Sequence, residues 1–88
     1  MKLYVVVIND IDFNECEADA SVHKKATVDR QEAFNEMCKI SDQDLADAKY
    51  NGWKDACLEV DDENMERTLY DSKDSDHRTH YQVQEIEA

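Results

Sequence analysis

Leu3-Tyr4-Val5-Val6-Val7-Ile8 is the only continuous apolar run in the chain, and its reading decides the fold. Six residues are too few to span a bilayer, and Val5, Val6, Val7 and Ile8 are β-branched, so a strand is favoured over a helix. Alternation puts Leu3, Val5 and Val7 on one side and Tyr4, Val6 and Ile8 on the other; both sides are apolar. Such a strand belongs inside a sheet, with other segments covering at least one of its faces.

Outward from that run, Asn9-Asp10-Ile11-Asp12-Phe13-Asn14 reads as a polar connection with turn chemistry. Cys16, Ala18, Ala20 and Val22 share one parity, and Ala26 and Val28 resume it after the mismatch at Lys24. This predicts a second strand from roughly Ala18 to Val28, antiparallel to the first. Asp29 offers an N-cap, with Glu32 placed for a capping box, and Ala33, Phe34, Met37 and Cys38 follow at helical spacing. Leu45, Ala48 and Lys49 prolong the pattern to Tyr50, and Asn51-Gly52 holds the chain's single glycine where a left-handed C-cap requires it. The expectation is one helix of about 20 residues. Ser41-Asp42-Gln43-Asp44 is read as an exposed turn where it bends, or as the cap of a second helix.

Past Gly52 the period returns to two. Ala56, Leu58 and Val60 alternate with Asp55, Cys57 and Glu59; Asp61-Asp62-Glu63-Asn64 makes a turn. Met65, Arg67 and Leu69 then alternate with Glu66, Thr68 and Tyr70, and a polar loop runs from Asp71 to Asp76. A last strand, His80 to Glu87, carries Tyr81, Val83 and Ile86; its broken alternation predicts a bulge or a frayed edge. The chain is thus expected to be a single α+β domain, ββαβββ, a twisted antiparallel sheet with one helix on one face and water on the other. Trp53, just after the turn, is expected to close one end of the core.

Composition limits function. The 88 residues make one domain that buries only about 60–65% of its unfolded surface. Charged residues are 36% of the chain, 22 acidic against 10 basic, giving a net charge of −12. That balance repels nucleic acid and anionic membranes. Cys16, Cys38 and Cys57 are odd in number and form no C-x-x-C pair, which fits reduced thiols in the cytoplasm. The start of the chain, one Lys followed directly by a strand pattern, carries no signal-peptide or transmembrane pattern.

No motif for chemistry survives inspection. Asp10-x-Asp12-x-Asn14 matches the opening of a calcium loop, but Glu15 stands where the glycine belongs and Ser21 where the bidentate glutamate belongs. His23, His77 and His80 lack the local spacing of a zinc site with the cysteines; they are expected on the surface of an edge strand. Cys38 falls on the buried helix stripe, while acidic neighbours of Cys16 and Cys57 oppose thiolate formation. One glycine cannot build a phosphate loop. The expectation is a protein without enzymatic activity, cofactor or metal.

The acids come in groups: Asp10, Asp12, Glu15, Glu17 and Asp19; Asp42, Asp44 and Asp47; Asp55, Glu59, Asp61, Asp62, Glu63 and Glu66; Asp71, Asp74 and Asp76. Carboxylates at i and i+2 on one strand face stand about 6.6–6.8 Å apart, roughly resembling the phosphates along a nucleic-acid strand. Asp55 and Glu59 beside Glu66, with Asp61-Asp62-Glu63 at a hairpin tip, could form such a row. A charge of −12 exceeds the magnitude of about 2–8 that solubility asks of a small domain. Small size, absence of proline and these Asp/Glu groups resemble the acidic inhibitors of phages and mobile elements, anti-CRISPR proteins and DNA mimics among them. That resemblance is one of class and implies stoichiometric binding to a basic, nucleic-acid-handling partner. The expected binding residues are Asp55, Glu59, Asp61, Asp62, Glu63, Glu66, Asp71, Asp74 and Asp76, with no direct nucleic-acid or membrane contact. The other expectation is a structural or regulatory module that homodimerises through an exposed strand edge, its charge serving solubility.

Overall fold

The apolar run forms the middle of strand β1 (Lys2–Asp12). The computed structural model describes residues 1–12, 17–22, 26–72 and 77–87, with the backbone alone for 17–22. Strand β2 (Glu17–Val22), helix α1 (Arg30–Tyr50) and strands β3 (Ala56–Asp61), β4 (Glu66–Asp71) and β5 (His77–Glu87) follow, the expected ββαβββ order. The five strands pair antiparallel in the order β2-β1-β5-β4-β3, so β1 is flanked on both sides.

That position lengthens β1 beyond its apolar run. Asn9 to Asp12 are strand, not a turn: Asp10 pairs with Asp19 and Thr79, Asp12 with Glu17 and His77. Two ladders of backbone hydrogen bonds outweigh the local turn preference of Asn and Asp. Phe13 and Asn14 lie outside the described residues. β2 is described over Glu17–Val22, residues 23–25 lie outside the described residues, and Ala26 and Val28, expected in the same strand, belong to none. Among the described residues between Val22 and the helix, Thr27 meets the sheet, exchanging backbone hydrogen bonds of 2.7 and 3.0 Å with Tyr4. Val28 is 67% exposed and belongs to no strand.

β5 also differs from expectation. It begins at His77 and lies between β1 and β4, paired with β1 in one unbroken register from Asp12↔His77 to Lys2↔Glu87. There is no bulge. Ile86 simply faces away from Val83 and is 44% exposed. His77 and His80 therefore sit on an interior strand rather than an edge.

α1 is one continuous helix. The Asp29 carboxylate accepts the Gln31 N–H at 2.9 Å, satisfying one of the orphan donors of the first turn. At the other end the Trp53 N–H bonds the Ala48 carbonyl (3.0 Å) and the Gly52 N–H that of Lys49 (3.2 Å). This is a Schellman closure, and it requires the positive φ of Gly52, +99°. Trp53, so placed, packs against the core as expected.

The helix buries Ala33, Met37 and Ser41 at four-residue spacing. It covers β1, β5, β4 and β3 on the face that carries Val6, Tyr81, Leu69 and Ala56, all buried. Ser41 is completely buried, so it is neither an exposed turn nor a second cap. Its hydroxyl donates to the Cys38 carbonyl at 3.1 Å, a bond that lets a serine sit in a helix without breaking it. Among the described residues, no helix is long and apolar enough to cross a membrane.

Candidate interaction surface

The β3–β4 hairpin holds most of the predicted site. Its turn, residues 62–65, ends with Met65 at φ +53°, a left-handed conformation that costs a non-glycine residue about 1–2 kcal/mol. Asp61 helps to hold the turn: its carboxylate accepts the Asn64 backbone N–H at 3.2 Å and the Asn64 side-chain amide at 2.8 Å. Those two bonds, the side-chain one first, hold the Asp61 carboxyl below its ordinary pKa.

On the sheet face away from the helix, the register sets Asp61 directly opposite Glu66 and Glu59 opposite Thr68. Glu59, Asp61 and Glu66 thus share one face, with Asp62 and Glu63 exposed at the tip. Like charges directly opposite are unfavourable. Here the donors that meet them are mostly neutral amides. Gln82 donates to Glu66 at 2.9 Å, as Asn64 does to Asp61, so both carboxylates are oriented by neutral donors. His80 Nε2 stands 3.8 Å from Glu66 and pairs with it only when protonated.

The remaining predicted residues are placed elsewhere. Asp55 precedes β3 and its carbonyl accepts the Ser72 N–H at 3.1 Å, at the opposite end of the hairpin from the turn. Asp71 pairs with Ala56 there, at a register position of the helix-covered face. The register thus sets Glu59, Asp61 and Glu66 together beside the tip, with Asp55 at the far end of the hairpin. Asp74 and Asp76 lie outside the described residues.

On the covered side, acids are matched one by one. Arg67 reaches from β4 to the helix, its Nη1 donating to Asp42 (3.0 Å) and to the buried Ser41 hydroxyl (3.3 Å). Its buried Nε has no hydrogen-bond partner among the described residues. The buried Tyr81 donates its hydroxyl to Asp44 at 2.6 Å. Burial first and that bond second push the Tyr81 phenol far above its ordinary pKa. Burial also raises the half-buried Cys38 thiol, with Arg67 opposing. On the open face Cys57 meets Tyr70, and their hydrogen bond is the main cause of a raised Tyr70 phenol.

Of the residues weighed for metals, Asp10 and Asp12 belong to a strand instead of a loop, and His77 stacks edge-on to Trp53 at 5.3 Å. Cys16 and His23 lie outside the described residues. Among the described residues, no three His, Cys, Asp or Glu side chains are grouped to hold a metal. The tie from Arg67 to Ser41 and Asp42 escaped sequence reading. Its one signal was a serine at a stripe position, four residues after Met37.

Comparisons with protein-family models, with curated proteins and with solved structures find no match for this chain. What fold and surface define is a class: a small α+β domain that displays carboxylates on a hairpin.

Proposed function

We propose that the protein is a non-enzymatic acidic binding protein of the cytoplasm. It acts as a stoichiometric inhibitor of a basic, nucleic-acid-handling partner, by mimicking nucleic acid or occluding its channel. The observation that carries this reading is the hairpin: Asp61 and Glu66 are opposed in register, with Glu59, Asp62 and Glu63 beside them. Neutral amides orient the opposed pair where a lysine or arginine would have cancelled it. A surface needed only for solubility gains nothing from that arrangement, which costs hairpin stability. A basic channel would gain fast, steered association from it.

The test is capture from a bacterial lysate on the immobilised chain at low salt, followed by elution as salt rises. A partner held through this face elutes by moderate ionic strength, and a Glu59→Gln/Asp62→Asn/Glu63→Gln variant fails to retain it. Retention that ignores salt, or that the triple variant leaves unchanged, sinks the reading. The alternative is a homodimer through a strand edge, and β3 is such an edge, with Val60 47% exposed. A salt-insensitive dimer in sedimentation at several concentrations would establish it instead.

A further inference from the structure

A second feature lies on the other face of the sheet, where the C-terminal half of α1 and strands β1 and β5 enclose a cleft of about 290 Å³. Ile8, Trp53 and Tyr81 contribute apolar and aromatic lining; Asp10 comes from a strand and Asp44 from the helix. Each carboxylate is held by one hydroxyl: Thr79 donates to Asp10 Oδ1 and Tyr81 to Asp44 Oδ2, both at 2.6 Å. Hydroxyl donors fix the carboxylates without neutralising them, and among the described residues neither aspartate forms an ion pair. Both carboxylates therefore line a cleft whose accessible aromatic side chain is the half-buried Trp53, Tyr81 itself being fully buried.

We propose that this cleft receives an arginine side chain of the protein partner. A guanidinium is planar, stacks on aromatic faces and offers donors to carboxylates on two sides, whereas an ammonium is a strongly hydrated point charge ill suited to an apolar lining. A hard metal cation would want six or more oxygen ligands, more than two aspartates and a few hydroxyls supply. Asp10 is exposed, so the cleft is open along one wall. A side chain can enter there while its main chain stays on the surface; a free small ligand is normally far more enclosed. The assignment rests on the reading of a basic partner and adds a point contact to the diffuse charge of the hairpin.

Trp53 is the only tryptophan and lines the cleft, so its fluorescence reports occupancy directly. The full chain is titrated at constant ionic strength with acetyl-Gly-Arg-Gly-amide, with its lysine counterpart and with methylguanidinium. The arginine peptide is expected to give a saturable change that the lysine peptide does not match. Asp44→Asn and the exposed Asp10→Asn are each expected to weaken it about tenfold, in keeping with the value of a charge-assisted hydrogen bond. The hairpin variant Glu59→Gln/Asp62→Asn/Glu63→Gln should bind the peptide as the parent does. No saturable change, an equal response to lysine, or insensitivity to both aspartate variants overturns the proposal. Binding of methylguanidinium but not of the peptide also overturns it, in favour of a free cation. Should Asp44→Asn unfold, Asp10→Asn decides alone. Loss of lysate capture in the hairpin variant with the peptide response intact separates this site from the hairpin reading.

Discussion

The two faces of the sheet use the same acidic composition in different ways. Under the helix, three carboxylates have a partner on another element: Asp42 has Arg67, Asp44 has Tyr81 and Asp10 has Thr79. On the open face of the hairpin, Asp61 and Glu66 confront each other and receive neutral amide donors. The covered-side bonds join one element to another, whereas the open-face carboxylates are held beside like charge. The sharpest way to break this contrast is to compare Met37→Ala with Glu63→Gln in urea unfolding. Met37 is fully buried in the core, so its truncation should cost about 2–5 kcal/mol. Glu63 is exposed at the tip, and its neutralisation should move stability by no more than about 0.5 kcal/mol. Equal costs would mean that the hairpin is structural after all.

A smaller effect sharpens the covered side. Tyr81→Phe removes the bond to Asp44 and should cost about 1–3 kcal/mol at neutral pH, since the acceptor is charged. It should also change the alkaline limb of stability. The phenol's pKa is raised in the folded protein, so between the ordinary tyrosine value near 10 and the folded value the unfolded chain has lost a proton that the native chain keeps. Stability must fall as pH rises above about 10, by at most about 1.4 kcal/mol per unit from this group. The Phe variant should lack that part of the slope, measured by denaturant unfolding between pH 9 and about 11. An unchanged slope would mean that Tyr81 ionises as freely folded as unfolded.

Local patterns announced the elements but not all of their neighbours. The ends of α1 were legible because Asp29 and Asn51-Gly52 act within one turn of themselves. Period two gave the shared face of Glu59 and Asp61 in the same local way. The interior place of β1 and its antiparallel pairing with β2 were legible, but the neighbours of β5 were not. Asn9 to Asp12 look like a turn until β2 and β5 are seen to flank them, and His80 looks like an edge residue until β1 and β4 are seen to enclose it, although past Val83 β5 has only β1 paired beside it. Ser41 looked exposed because its reason for burial, Arg67, is 26 residues away on another element. The cleft was invisible for the same cause: only the β1–β5 register brings Asp10 beside Thr79 and Ile8 beside Tyr81.

The smallest predicted effect tests the open face at a single atom pair. Asn64 is the main reason that the Asp61 carboxyl stays ionised below its usual range. Asn64→Ala removes the side-chain donor and keeps the backbone one, so the Asp61 pKa should rise part of the way toward that of an ordinary aspartate, read by NMR titration of the side-chain carboxyl. The sign for stability follows. A depressed carboxyl stabilises the fold above its unfolded pKa and loses that contribution as pH falls through the folded value. The variant should therefore lose less on acidification than the parent, while the covered-side pairs are untouched. If Asp61 titrates unchanged, the amide is not what holds it. The backbone N–H groups of the turn would then be what keeps Asp61 below its usual range.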